Sequence, residues 1–584
     1  MTARQPTKTT CPYCGVGCGI LADVSLDGKV GIRGDTNHPA NFGRLCSKGS
    51  ALGETVDLDD RLLYPEVDGQ RVSWDAALRL VGSQFSETIA EYGPDSVAFY
   101  VSGQLLTEDY YVANKLMKGF IGSANIDTNS RLCMASSVAG HKRAFGSDTV
   151  PGCYEDLEIA DLIVLVGSNL AWCHPVLYQR IVAAKGKRPE MKIVLIDPRR
   201  TMTSDIVDLH LPIKPDGDVA LFSALLSHLF ETHAIDQDFI AAHTSGFTDA
   251  LRAADAMDIL AIIEQTGLDQ RLLRSFFELF ARTDRTVTVF SQGVNQSARG
   301  TDKVNAIINC HLATGRIGKP GASPFSVTGQ PNAMGGREVG GMSNTLAAHM
   351  DIENAEDRDR VRRFWQAPLV AAKSGLKAVD MFRAVADGRI KALWIMATNP
   401  VVSMPDAGKI EDAIRNCPFV VVSDVIAKTD TVRHARVRLP AAAWGEKSGT
   451  VTNSERRISR QRSFLPLPGE ARPDWWIVCE VAKHMGFGAA FDYKSTSEIF
   501  AEHAALSGFE NNGTRDFDIG QFANISETEF DRLEPFQWPR HVGEESSIRL
   551  FTDGKFFTRD GKARFTSLDL EPRRTTPAAY PMTL

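Results

Sequence analysis

The sequence predicts an α/β chain of several domains built on mostly parallel sheets, behind a small cysteine-bearing segment at its start. Three observations carry that expectation. Six short, mainly apolar runs recur along the chain, and each stops at a small or polar loop. Helical stretches lie between several of these runs, the arrangement of parallel strands covered on both faces. The length of 584 residues, at roughly 100–200 per domain, leaves room for three to five domains.

The elements follow in order. The first 50 residues are glycine-rich and carry four cysteines. Ser73 is placed to cap a helix running from Asp75 towards Tyr92. The first apolar run, Ser96 to Val101, ends in Ser102-Gly103-Gln104. Leu162 to Val166 ends in Gly167-Ser168-Asn169, and Ile193 to Ile196 in Asp197-Pro198-Arg199. A helical stretch covers Val219 to Phe230. Thr286 to Phe290 ends in Ser291-Gln292-Gly293. Leu393 to Met396 ends in Ala397-Thr398-Asn399-Pro400, and Phe419 to Val422 in Ser423-Asp424. Ligands on open parallel sheets sit outside the carboxyl ends of the strands, where these loops lie. Residues 315–342 are rich in glycine and read as a long loop, either functional or disordered. No short-period solenoid repeat is evident.

Composition narrows the class. With 43% hydrophobic and 23% charged residues the chain has material for several cores. The net charge of −7 argues against a nucleic-acid partner and against an anionic membrane surface. No apolar run approaches the roughly 20 residues needed to cross a bilayer. Met1 to Thr10 is polar, with no apolar leader core and no twin-arginine pair, which makes a cytoplasmic location the expectation. Ten cysteines are too few for a disulfide scaffold, and clustered cysteines in a reducing compartment point to metal.

The cysteine spacing is the most specific signal. Cys11, Cys14 and Cys18 form a Cys-x2-Cys-x3-Cys group, and Cys46 follows after 27 residues. Three thiolates within eight residues, separated by Pro12, Gly15 and Gly17, can wrap a small sulfur-bridged cluster, and a fourth from a distant loop closes it. A [4Fe–4S] cluster is the reading. Structural zinc is the alternative, although zinc knuckles pair two short Cys-x2–4-Cys hairpins.

Cys11-Pro12-Tyr13-Cys14-Gly15-Val16-Gly17-Cys18-Gly19 and Gly43-Arg44-Leu45-Cys46-Ser47-Lys48-Gly49 resemble the start of the molybdopterin oxidoreductases. That family includes bacterial nitrate reductases, formate dehydrogenases and dimethyl-sulfoxide reductase. The resemblance runs on through Asn129-Ser130-Arg131-Leu132-Cys133-Met134, Gly167-Ser168-Asn169, Asp197-Pro198-Arg199 and Pro215-Asp216-Gly217-Asp218. It continues through Gly329-Gln330-Pro331, Arg337-Glu338-Val339-Gly340, Thr398-Asn399-Pro400 and Trp444-Gly445-Glu446-Lys447. Within the family the chain looks most like the cytoplasmic assimilatory nitrate reductases of bacteria.

The resemblance implies a small N-terminal iron–sulfur domain plus two mostly parallel-sheet α/β domains. The expected boundaries are 1–57 for the cluster domain, 58–130 with 331–500 for one pterin-binding domain, and 131–330 for the other. Residues 501–584 are then a connecting segment. It implies a bis-molybdopterin guanine dinucleotide cofactor carrying molybdenum, with Cys133 as the protein ligand to the metal. A soft thiolate suits that metal. Lys48 would bridge cluster and pterin. Gly167, Ser168, Asn169, Asp197 and Asp218 match positions around one dinucleotide arm, and Thr398, Asn399, Ser423 and Asp424 around the other, with Gln330 also on the cofactor. Cys153, Cys173, Cys310, Cys417 and Cys479 carry no such match and read as core or surface thiols.

The residue after Cys133 bears on the reaction. Formate dehydrogenases of this family place a histidine there, whereas this chain has Met134, which cannot shuttle a proton. The Cys-Met pair resembles nitrate reductases. Arg337 would orient a planar anion such as nitrate. The expected reaction is oxygen-atom transfer from nitrate at molybdenum, fed through the cluster by ferredoxin, flavodoxin or an NADH-dependent flavin reductase. A molybdenum-dependent formate dehydrogenase, a non-catalytic electron-transfer subunit and an inactive fragment are the alternatives. Relatives continue past the equivalent of Tyr580-Pro581-Met582 into a β-barrel domain that covers the pterins, so the expectation is either a truncated form or a split one whose C-terminal domain is a separate chain.

Overall fold

The computed structural model describes residues 5–543 and 548–571. The chain divides into two compact units: Met1–Leu132 with Gln330–Ser546, and Cys133–Gly329 with Ser547–Leu584. Tyr580–Met582, past whose equivalent relatives continue into a β-barrel domain, lies outside the described residues. No described helix is long and apolar enough to cross a membrane.

The second unit is built on five parallel strands in the order Leu209–Leu211, Lys192–Ile196, Leu162–Val166, Thr286–Phe290 and Ser323–Ser326. The two central strands are buried along their whole length; Leu162–Val166 is apolar throughout, and Thr286–Phe290 alternates threonine with apolar residues before ending in Phe290. Helices Asp218–Glu231 and Gly300–Ala313 pack against each other in this unit.

The first unit carries a seven-stranded sheet. Its parallel part runs Val437–Pro440, Phe419–Asp424, Ala392–Met396, Val97–Val101 and Ile126–Thr128. Two short antiparallel strands, Glu66–Val67 and Gln70–Arg71, extend one edge. Helix Trp74–Tyr92 starts at Ser73, whose side chain accepts from Ala76 N, and ends at Gly93 with φ +85°. It buries Leu78, Val81 and Phe85, three or four residues apart. Phe85 then meets the rings of Phe99, Trp394 and Phe419 at 5.9, 6.1 and 6.0 Å.

The two parallel sheets are the same sheet with the chain order permuted. Numbering from Leu162–Val166 in one unit and from Ala392–Met396 in the other, both read 3-2-1-4-5. The order reverses between strands 1 and 4, which opens a crevice at their carboxyl ends. In one unit Gly167-Ser168-Asn169 and Ser291-Gln292-Gly293 flank that crevice; in the other Ala397-Thr398-Asn399 and Ser102-Gly103-Gln104 do.

The glycine-rich stretch 315–342 departs from the expected long loop. It holds a core strand, Ser323–Ser326, and a short buried helix, Ala333–Glu338. Parallel pairing with Thr286–Phe290 gives Ser323–Ser326 a place at the sheet edge that glycine content alone does not reveal.

Candidate active site

The cysteine loop is carried by a three-stranded antiparallel sheet, Thr7–Thr10, Gly19–Val24 and Val30–Gly34. Cys11 N donates to Cys18 O at 2.9 Å, and Gly17 N to Cys14 O at 3.2 Å, closing the loop on itself. Gly17 has φ +66°, and a Cβ there would lie 2.6 Å from Asn453 Cβ, so glycine is required. Asn453 Nδ2 donates to Val16 O, Ser454 Oγ to Gly15 O and Trp444 Nε1 to Thr10 O, at 2.8 to 3.0 Å. The segment that begins with the Trp-Gly-Glu-Lys motif therefore clamps the loop. Cys46 caps the short helix Ser47–Ser50 and its sulfur accepts from Gly49 N at 3.4 Å.

The four sulfurs sense one another. Burial pushes the Cys11 thiol up to about 12, with Cys14 and Cys46 adding to the rise. Burial also raises Cys18 well above its ordinary value, and Cys14, Cys11 and Cys46 all push the same way. Four thiolates gathered without a metal repel each other, and a bound cluster removes that cost. A single zinc ion needs its sulfurs about 2.3 Å away. Among the described residues no group of three or more His, Cys, Asp or Glu side chains is set to hold one ion. The donor set and its spacing fit a cluster. Lys48 is exposed, with its ammonium 5.5 Å from the Tyr13 ring centroid.

Cys133 lies in helix Ser130–Phe145, which is broken at Met134 (φ −142°, ψ 18°). Met134 is buried and Cys133 half-buried. Gln292 Nε2 donates to Cys133 Sγ at 3.1 Å, and a Cβ on Gly329 would be 3.5 Å from the same sulfur. Gln292 was not among the expected site residues, although its loop ends the strand Thr286–Phe290. Arg337 is 3% exposed in helix Ala333–Glu338 and donates to Met334 Sδ at 2.8 Å, which removes it from the surface. Its neighbour Glu338 is pushed up to about 7 by burial, against hydrogen bonds from Thr452 and Trp538.

The dinucleotide residues separate by unit. Gly167 has φ +51°, and Ser168 is 1% exposed with a hydroxyl that finds no hydrogen-bond partner among the described residues. A buried hydroxyl without a partner is costly and is what a bound polar group would satisfy. Asn169 Oδ1 accepts from Thr203 Oγ1 at 2.8 Å. Asp197 accepts from Arg199 N at 2.9 Å in an exposed turn. Asp218 pairs with Lys303 at 2.9 Å, and Lys303 also reaches Asp216 at 2.8 Å. In the other unit Thr398 is half-buried, and Asn399 Oδ1 accepts from Thr431 Oγ1 at 2.7 Å. Ser423 Oγ accepts from Trp394 Nε1 at 2.8 Å. Asp424 accepts from Val425 N and Ile426 N at 2.6 and 3.2 Å, and burial raises its carboxyl above the usual range. Gln330 Nε2 donates to Gln104 Oε1 at 3.2 Å. Of the remaining cysteines, Cys153, Cys310, Cys417 and Cys479 are buried and Cys173 is exposed.

Residues 5–58 match the molybdopterin oxidoreductase Fe4S4 domain, and residues 61–484 match molybdopterin oxidoreductase. The chain belongs to the molybdopterin oxidoreductase family. Its cofactors are a molybdenum pterin and a [4Fe–4S] cluster, and the thiol set and the buried Ser168 hydroxyl suit them. The chain is 55% identical over 99% of its length to a nitrate reductase of Klebsiella oxytoca, and 48% identical over 96% to one of Shewanella frigidimarina. It spans 66% and 61% of those two proteins. It is 32% identical to the F420-dependent formate dehydrogenase subunit alpha of Methanocaldococcus jannaschii, over 95% of this chain and 80% of that one. Acetylene hydratase from Pelobacter acetylenicus has the same fold, with a TM-score of 0.77 at 19% identity over 97% of this chain and 77% of that chain.

Proposed function

We propose that the chain is the cluster-bearing catalytic portion of an assimilatory, cytoplasmic nitrate reductase, which converts nitrate, two electrons and two protons to nitrite and water. The observation that carries this reading is the Cys133-Met134 pair, which leaves no proton-shuttling side chain beside the metal ligand, together with nitrate reductase relatives at 55% and 48% identity. The bound metal would supply oxygen-atom transfer and the cluster single electrons.

The chain's own residues have separate tasks. Cys133 holds the metal, and Gln292 steadies its sulfur from 3.1 Å. Cys11, Cys14, Cys18 and Cys46 hold the cluster, and Lys48 lies on the path beyond it. Arg337 draws in the anion. The loops of the two crevices hold the dinucleotide arms, with 58–130 and 331–500 forming one pterin-binding domain and 131–330 the other. A ferredoxin, a flavodoxin or an NADH-dependent flavin reductase feeds the cluster.

The test is reduced methyl viologen with nitrate. Nitrite should form, Cys133→Ala should abolish it while the cluster's spectrum survives, and Arg337→Ala should raise KM for nitrate. Formate oxidation without nitrate turnover would sink the reading.

A further inference from the structure

We propose that Thr203 and Thr431 are a matched pair of positioning residues: each holds the side-chain oxygen of an asparagine, Asn169 or Asn399, and so turns that asparagine's NH2 group outward as a donor to an acceptor oxygen on one arm of the pterin dinucleotide.

The geometry is repeated in two units whose sheets share one strand order. Thr203 Oγ1 donates to Asn169 Oδ1 at 2.8 Å, and Thr431 Oγ1 to Asn399 Oδ1 at 2.7 Å. The threonine follows its asparagine by 34 residues in one case and 32 in the other. In each unit the backbone N–H two residues past the asparagine donates into the same hydroxyl: Ala171 N at 3.1 Å and Val401 N at 3.3 Å. Both threonines are fully buried.

That arrangement fixes the direction of the amide. A buried hydroxyl that already accepts a backbone N–H must place its own hydrogen on an acceptor. The acceptor each hydroxyl reaches is the asparagine Oδ1, so the oxygen and not the nitrogen faces the threonine. The NH2 group then points away from the threonine, on a half-buried residue at the mouth of the crevice. Two N–H donors at a strand end suit a phosphate or ribose oxygen. Neither threonine stands at a strand end, but both close a Thr-x-Thr sequence, Thr201-Met202-Thr203 and Thr429-Asp430-Thr431.

A threonine that merely ties down the short helix after the asparagine, Leu170–Cys173 or Pro400–Ser403, through Ala171 or Val401 would matter whether or not the asparagine is present, which sets the test. The chain is purified from a host that makes the guanine dinucleotide cofactor, and guanine nucleotide released on denaturation is counted per chain. Thr203→Val and Thr431→Val should each lower retention roughly three- to tenfold, the worth of one hydrogen bond, and the Thr→Ser variants should restore it to within about twofold. The double variant Thr203→Val/Asn169→Ala should retain no less than Asn169→Ala alone, because the threonine acts through the asparagine. Asn169→Asp keeps an oxygen for Thr203 and replaces the outward NH2 with a second oxygen, so it should lose as much as Asn169→Ala; this arm stands even if the valine variants do not fold. Additive losses in the double variant, full retention in Asn169→Asp, or a wild-type chain that carries no guanine nucleotide would each overturn the proposal. The count does not depend on nitrate turnover, so it fails or succeeds apart from the nitrate reading.

Discussion

The crevice of the second unit and that of the first are built on one plan but turn out of their first strand differently. Gly167 and Ala397 occupy equivalent positions, both with left-handed backbone, at φ +51° and +53°. A Cβ on Gly167 would lie 2.6 Å from Gly293 Cα, because the two strand-end loops touch and Gly293 N donates to Gly167 O at 2.9 Å. Ala397 carries its Cβ and bears only the strain of the left-handed region, about 1–2 kcal/mol. The second unit thus closes its crevice with backbone against backbone, and the first leaves room for a side chain. The same backbone angle is imposed by contact in one place and tolerated in the other.

The largest expected effect separates these two positions. Gly167→Ala should cost roughly 3 kcal/mol or more, combining a backbone clash with strain. Ala397→Gly should fall within about 1 kcal/mol of neutral, since strain relief and added chain entropy oppose each other. Calorimetry of both variants reads the difference, and equal losses would break the comparison.

A second difference is electrostatic. Burial alone would raise Asp216, but hydrogen bonds from Lys303 and Ser297 overcome it and hold its carboxyl below the usual range. Asp424 has no such cation among the described residues, and burial raises it. The signs follow. Asp216 contributes stability that is present above the unfolded value of about 4 and lost as pH falls through its lower folded value. Asp424 does the reverse: acidification through its raised folded value adds stability. Asp216→Asn should therefore flatten the acid side of the stability profile, and Asp424→Asn should steepen it while leaving the chain no less stable at neutral pH. Lys303→Met, which strands two carboxylates, should cost about 2 kcal/mol, below the usual figure for a broken buried pair because Asp216 is 36% exposed. Denaturant melts between pH 3 and pH 8 check all three; parallel profiles for the two aspartate variants would contradict the contrast.

The smallest effect concerns the loops after strand 4. Gln292 points at Cys133 Sγ, whereas Gln104 in the other unit pairs with Gln330. Gln292→Leu should slow turnover by about three- to tenfold with KM for nitrate unchanged, the loss of one hydrogen bond to the sulfur. A change in KM alone would place Gln292 on the substrate and not on the cysteine.

Much of the fold was legible. Leu162–Val166 and Thr286–Phe290 coincide with the expected runs: the first is apolar throughout, and in the second the buried Thr286 and Thr288 hydroxyls find hydrogen-bond partners at Thr283 O and His311. Ser96 is excluded from its strand by the 3-10 turn Pro94–Ser96, and Phe419–Asp424 runs two residues past its apolar run because the sheet pairing continues through Ser423 and Asp424. The strand Ser323–Ser326 was hidden by glycine, proline and serine. Of the site, the cysteine loop was plain from spacing alone, whereas Gln292, Thr203, Thr431 and Lys303 were not, since each meets its partner only after the sheet forms.

The sequence by itself determined the local facts: which runs are strands, where helices begin, that four cysteines in this spacing make a cluster loop, and that Cys133 is followed by a methionine. Tertiary structure decided the rest. It made the two sheets equivalent under permutation, set Gly293 against Gly167, lowered Gln292 onto a sulfur and closed Thr203 and Thr431 on their asparagines. The physical reason is range. Side-chain periodicity and cysteine spacing act over a few residues, whereas these contacts join residues whose meeting depends on strand order, which no local pattern encodes.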